Sequence, residues 1–318
     1  MRGSAGTAPS NPSAGSGGGG SSGLGAGGSS ATGSSTGGLD LVAPPDSGTT
    51  MMDDCADSAR LVYVISDGDG AIYRFDPSLA KSAGQAAFTR LGVPQCQVKG
   101  APNSMSVDRN GAAWINYGSD GGIYKVDTST LACEKTAFVS GGGIGFSAAL
   151  SLGFSSDAAG SSSETLFISD NTGDAKNVKG AGLGPARVDP TSLAATKLGQ
   201  PYSGILQGGR CELTGTGDAR LFGFYTTEPA HLAEINKADG TTPTPIELPN
   251  VDAHTGGYAF SFWGGSFWFY TSANSDNSLV TEYDPVANTS EVVVPDVGFT
   301  IVGAGVSTCA PLVMPQPK

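Results

Sequence analysis

The chain has 318 residues, with 29 acidic against 17 basic side chains and a net charge of −12. A surface this acidic repels phosphate backbones and anionic lipid, which argues against nucleic-acid and membrane-surface binding. No run approaches the ~18 apolar residues of a membrane-spanning helix, so no direct membrane span is expected.

Residues 1–52 are almost entirely Gly, Ser, Ala, Thr and Pro, with runs such as Gly17–Gly20. Such a segment has nothing to bury against the entropy of ordering, and it reads as a disordered leader or tether. Met1-Arg2-Gly3-Ser4 looks like an expression leader, and no signal peptide is visible. Residues 53–318 change to alternating Val, Ile, Phe, Tyr and Trp with Gly/Asp/Asn turns, enough for one closed domain.

Within that region five segments end alike: Ile72–Pro77, Ile123–Thr128, Pro185–Pro190, Leu232–Lys237 and Val280–Pro285. Their Asp/Asn positions (76, 127, 189, 236, 284) lie 51, 62, 47 and 48 residues apart. A period of roughly 40–50 residues built from short strands marks a β-propeller, one four-stranded blade per repeat. Each segment is preceded by an aromatic and β-branched strand: Leu61–Ser66, Ala112–Tyr117, Thr165–Asp170, Arg220–Tyr225 and Ser266–Thr271. Each is followed by an outer one: Ala86–Gly92, Cys133–Val139, Ala195–Gly199, Thr244–Pro249 and Glu291–Asp296.

Small-residue strands suited to the crowded axis are Ser104–Asp108, Ala148–Phe154, Cys211–Thr216 and Tyr258–Phe262. The first blade lacks one, whereas Ile301–Cys309 is an orphan with nothing after it but a Pro-rich end. The fold class is therefore all-β: a five-bladed β-propeller closed by the C-terminal strand joining the first blade. A sixth blade would need a further strand set, and only 174–210 has spare residues.

That closure sets Cys309 beside Cys55, predicting a disulfide that ties the domain's ends together. Cys96 lies between blades one and two and Cys133 opens an outer strand, so these two are expected to pair, leaving Cys211 as a buried thiol. None of the five cysteines forms a Cys-x-x-Cys pair, and two histidines give zinc few ligands. Two disulfides imply an oxidising compartment: secreted, periplasmic or cell-surface.

Three features carry a resemblance: the turn Val188–Leu193, the Gly/Ser-rich leader and the closing run Pro295–Pro311. On these the chain resembles a group of secreted, lipoprotein-like bacterial β-propeller proteins, which implies an exported, tethered location and carries no activity with it. More distantly, Asp108-Arg-Asn-Gly-x-x-Trp114 resembles repeats of the NHL and gluconolactonase-like propellers.

The recurring Asp76, Asp127, Asp189 and Asp284, with Asn236, are read as turn formers accepting backbone amides rather than as a ring of ligands. Asp67–Gly70 and Asp170–Asp174 resemble acidic calcium loops, but neither continues to the Glu that would complete an EF-hand. No cofactor is expected beyond calcium at those loops. The aromatic run Phe260–Tyr270 reads as packing between blades.

A propeller takes small molecules at the mouth of its central channel, where loops lead into the inner strands. Those loops contribute Asn103, Arg210, His254 and Phe299 as candidate ligand-binding residues, with Glu212 just inside. Glu212 is the only acid on an inner strand before its turn; a carboxyl there serves as a raised-pKa acid or metal ligand, pairs with Arg210, or caps backbone amides. No catalytic or metal residue is assigned. The functional expectation is a non-catalytic propeller binding an unknown small ligand or a surface or secreted protein, with a hydrolase or lactonase around Glu212, Asn103 and His254 as the alternative.

Overall fold

The computed structural model describes residues 55–171, 183–252, 256–273 and 276–315. Four blades are continuous in sequence. The second is β4 (Pro102–Val107), β5 (Ala112–Tyr117), β6 (Ile123–Asp127) and β7 (Cys133–Lys135). The third is β8 (Leu150–Ser156), β9 (Glu164–Asp170), β10 (Pro185–Val188) and β11 (Ala195–Lys197). The fourth is β12 (Cys211–Gly215), β13 (Leu221–Tyr225), β14 (His231–Glu234) and β15 (Ile246–Glu247), and the fifth β16 (Gly257–Trp263), β17 (Ser266–Ser272), β18 (Leu279–Asp284) and β19 (Thr289–Val294).

The first blade is composite. Strands β1 (Val62–Ser66), β2 (Ile72–Phe75) and β3 (Phe88–Gly92) take their inner partner from the far end of the chain, β20 (Ile301–Gly305), which pairs antiparallel with β1 through Tyr63↔Gly305 and Val64↔Ala304. Every blade is a four-stranded antiparallel sheet, and five of them make the five-bladed propeller expected from the repeat. The described part of 174–210 holds the third blade's β10 and β11 and no further strand before β12.

Second strands are buried on both faces because a blade lies against each side, so alternation sorts their side chains between two interfaces. Strand β17 shows this: all seven residues are buried. Phe267 and Phe269 turn toward the fourth blade, with ring centroids 4.9 Å from Phe222 and 4.7 Å from Phe224. Trp268 and Tyr270 turn toward the first blade, meeting Phe75 edge-on at 5.7 and 5.8 Å. The indole N–H groups stay satisfied, Trp268 donating to the Trp263 carbonyl and Trp263 to that of Arg60, both at 3.0 Å. The aromatic run is core, as its sequence suggests.

Around the axis the inner strands touch backbone to backbone, and glycine permits the contact. A Cβ on Gly303 would stand 2.8 Å from the Met105 amide nitrogen, and one on Gly215 would collide with the Phe154 carbonyl.

The expected turn chemistry holds at every repeat. Asp127 Oδ1 accepts the Ser129 and Thr130 amides at 2.8 and 2.9 Å, and Asp284 Oδ1 those of Val286 and Ala287 at 2.8 and 3.0 Å. Asp76, Asp189 and Asn236 do the same with Ser78, Ser192 and Ala238. In the Asp67–Gly70 turn Asp69 accepts the Ala71 amide at 3.0 Å and pairs with Arg90 at 2.9 Å. Asp170 accepts the Ser147 amide at 2.6 Å, while residues 172–174 of the second acidic loop lie outside the described residues.

Cys55–Cys309 and Cys96–Cys133 are bonded, across 254 and 37 residues of sequence, and Cys211 is a buried free thiol. In the chain-entropy account the longer link stabilises by about 5 kcal/mol and the shorter by about 4 kcal/mol. Replacing Cys55 and Cys309 together by Ser is therefore expected to lower the denaturation midpoint more than replacing Cys96 and Cys133. Equal or reversed losses in urea titrations of the two double variants would contradict that ordering. Gly303→Ala is expected to destabilise by about 1–3 kcal/mol, as overpacking does where a backbone cannot retreat; an unchanged midpoint would show the inner ring to be looser than described.

Candidate functional site

Glu212 lies at the centre of a buried polar network among the inner strands. Alternation along β12 turns Cys211 and Leu213 into the core between blades three and four and sets Glu212 and Thr214 on the other face. Glu212 is 2 % exposed. Its Oε2 accepts the Ser104 hydroxyl of the second blade at 2.8 Å. Its Oε1 accepts Asn171 Nδ2 at 3.2 Å and lies 3.3 Å from Ser151 Oγ, both of the third blade. Asn171 is in turn bonded through Oδ1 by the Tyr258 hydroxyl of the fifth blade. One carboxyl thus joins four blades.

The serines extend the network. Ser104 Oγ accepts the Leu152 amide and Ser106 Oγ the Phe154 amide, both at 3.1 Å, so the second blade's hydroxyls cap amides of β8. Ser151 also reaches the Cys211 carbonyl. A hydroxyl has one proton to give; when Ser151 gives it to Cys211, a protonated Glu212 can donate to Ser151 in return. That protonation state is the one the surroundings select. Burial drives the Glu212 pKa well above the carboxylate range, and the hydrogen bonds from Ser104, Ser151 and Asn171 oppose it only in part.

Of the other candidate residues, Asn103 belongs to this end of the inner strands and donates to the Leu150 carbonyl at 2.9 Å. The Arg210 guanidinium lies 5.4 Å from the centroid of the Tyr258 ring. Among the described residues no ion pair joins Arg210 to Glu212, which corrects that option: the carboxyl is held by neutral partners, so the guanidinium's charge is not cancelled there. The Phe299 ring stacks on Tyr73 at 4.0 Å and meets Phe88 edge-on at 5.9 Å, on the third and outer strands of the first blade. His254 lies outside the described residues. His231 begins β14 rather than occupying a turn, with Nδ1 2.7 Å from Thr227 Oγ1.

Residues that the sequence reading did not single out are Ser104, Ser151, Asn171 and Tyr258. The legible signal was serine at alternate positions of β4 and β8 facing the one inner-strand acid. Among the described residues no three of His, Cys, Asp and Glu come together as metal ligands.

A second polar knot lies at the other end of the inner strands. Glu164 accepts the Arg109 amide at 2.7 Å and the Thr308 hydroxyl at 2.8 Å, and Arg109 reaches Thr308 Oγ1 at 3.1 Å and Cys55 Sγ at 3.3 Å. It links blades two and three to the end of the closing strand. Burial lifts the Glu164 carboxyl to about 7 despite those two bonds. The neighbouring Asp108 is a turn scaffold, accepting the Asn110 and Ala112 amides and the Trp114 indole at 3.0 Å and pairing with Lys125 at 3.0 Å. That accounts for the Asp-Arg-Asn-Gly-x-x-Trp motif in local terms.

No family model matches the chain, and no curated protein does. Solved structures do. A chain of the nidogen/laminin complex is 14 % identical over 79 % of this chain and 81 % of its own, with a TM-score of 0.48. An inactive variant of virginiamycin B lyase from Staphylococcus aureus, with quinupristin, is 14 % identical over 76 % and 72 % at 0.40. TolB from Acinetobacter baumannii is 14 % identical over 78 % and 54 % at 0.44.

The raised carboxyls give stability a definite pH dependence. Each holds a proton in the folded chain that the unfolded chain releases above the ordinary glutamate value of 4.5. Stability is then greatest at and below that value and falls as pH rises, through about 7 for Glu164 and well above 4.5 for Glu212. Glu212→Gln keeps the shape and removes the titration, so its stability relative to the parent should improve steadily from pH 5 to pH 8, read as urea midpoints. A constant difference across that range would mean that Glu212 is ionised in the fold.

Proposed function

We propose that this chain is a non-catalytic propeller that binds a small ligand or a protein partner at the mouth of its inner strands, outside the reducing cytoplasm. The observation that carries this reading is the state of Glu212. An acid or nucleophile must present a free oxygen to substrate, whereas both Glu212 oxygens are occupied by Ser104, Ser151 and Asn171 and the group is 2 % exposed. Those bonds brace three blades, and the Tyr258–Asn171 bond adds the fifth, which suits a rigid scaffold for recognition. The bonded pairs Cys55–Cys309 and Cys96–Cys133 support an oxidising compartment. Residues 1–52, by composition, would serve as a tether with a root-mean-square reach of roughly 40 Å, holding the disc off a surface in the manner of a lipoprotein.

The reading is tested by assaying the parent and Glu212→Gln side by side on chromogenic ester, lactone and glycoside substrates. The expected result is no turnover that depends on Glu212. Hydrolysis that Glu212→Gln abolishes, while its circular dichroism matches the parent, would replace the binding reading with an enzymatic one.

A further inference from the structure

In a chain with 29 acids for 17 bases, cations find carboxylates easily. Lys81 bridges Glu282 and Glu291 at 3.0 and 2.9 Å, Arg90 meets Asp69 at 2.9 Å, Lys125 meets Asp108 at 3.0 Å and Lys135 meets Asp120 at 2.8 Å. Arg220 grips Glu234 with two bonds of 3.1 and 2.7 Å. Arg210, which leads into β12, has no carboxylate partner among the described residues. Its backbone is pinned, since its carbonyl accepts the Thr226 amide at 2.9 Å. Its guanidinium carbon lies 5.4 Å from the Tyr258 ring centroid, close enough to touch the Tyr258 side chain, and its Nε is buried without a hydrogen-bond partner. The carboxyl two residues along, Glu212, is bonded by the neutral groups Ser104 and Asn171 and makes no ion pair with Arg210.

A buried guanidinium donor with no acceptor is costly, and a fixed planar fork matches the two oxygens of a carboxylate or phosphate. Set against an aromatic face at the mouth of the inner strands, this is the arrangement of an anion receptor whose acceptor comes from outside the chain. We infer that Arg210 binds an oxyanion group, a carboxylate or a phosphate, of the ligand that occupies the mouth, with the Tyr258 ring as the floor beneath the guanidinium. Tyr258 is itself held by its hydroxyl bond to Asn171, and Asn171 by Glu212, so the neutral Glu212 network positions the receptor while leaving its charge uncancelled. The surrounding charge of −12 disfavours polyanions, which points to a ligand with a single oxyanion group. This inference rests on the binding function proposed above.

The test uses nitrogen-15-labelled full chain at pH 7 and follows the arginine Nε–Hε resonances during two titrations, one with sodium acetate and one with inorganic phosphate. Each is run at constant ionic strength by exchange against sodium chloride. The expected result is a saturable shift of the Arg210 resonance in at least one arm, with Arg90 and Arg220 unmoved. The arm with the tighter midpoint identifies the ligand group as carboxylate or phosphate. In a companion thermal melt the same anion should stabilise the parent, and Arg210→Gln should weaken that effect at least tenfold in apparent affinity, with Arg210→Lys in between. An Arg210 resonance that stays still in both arms, or moves no more than that of Arg90, would overturn the inference. The resonance measurement needs no variant, so it stands even if Arg210→Gln fails to fold. Glu212-dependent turnover together with anion binding at Arg210 would sink the non-catalytic reading and leave this one in place.

Discussion

Around the axis five inner strands approach until backbone meets backbone, with Gly303 against Met105 and Gly215 against Phe154. At that separation polar side chains on the inner strands must find partners on the next blade, because an unpaired buried polar group costs more than a formed bond returns. The serines of β4 meet that demand by capping amides of β8, and Glu212 meets it by accepting from Ser104 and Asn171. The protonated state of Glu212 follows from the same crowding. No cation pairs with it among the described residues, so the fold keeps it neutral and uses it as a brace.

Closure is secured at the other end of the strands. The pairing of β20 with β1 leaves the chain's two ends of the domain side by side, where Cys55–Cys309 joins them covalently. The knot of Arg109, Glu164 and Thr308 adds blades two and three to that junction and touches the disulfide through Arg109. The pairing with β20 leaves β1 without an open edge, and the covalent link and the polar knot hold the ring closed beside that ladder. One end of the disc is thus devoted to closure. The other end, where the inter-blade loops arrive, carries Arg210 and Tyr258.

Much of this was legible in the sequence. The Asp-ending segments exposed the repeat because each needs the same Asx-type turn, and the orphan Ile301–Cys309 revealed the closure because a small-residue strand without partners fits only the blade that lacks one. Both disulfides followed from that topology. The packing of Phe299 was not legible, for a physical reason: its loop runs from the outer strand β19 to the inner strand β20, so sequence order cannot say at what radius the ring settles. Tyr73 and Phe88 decide that, and they belong to another part of the chain. The partners of Glu212 were hidden for a similar reason. Ser104 and Asn171 lie 108 and 41 residues away from it, and their meeting depends on how blades stack rather than on any local pattern.

The central claim is that the axis of this fold is braced by a neutral, sequestered carboxyl. It is tested most directly by recording the side-chain carboxyl carbon-13 resonances of glutamate from pH 3 to pH 8. The account predicts that the Glu212 signal, assigned through the Glu212→Gln variant, remains at its protonated position well above the ordinary glutamate value of 4.5. A Glu212 signal that titrates at the ordinary value of about 4.3 for a free glutamate would mean an ionised, solvent-reached carboxylate. The brace, and the binding function argued from it, would then both be wrong.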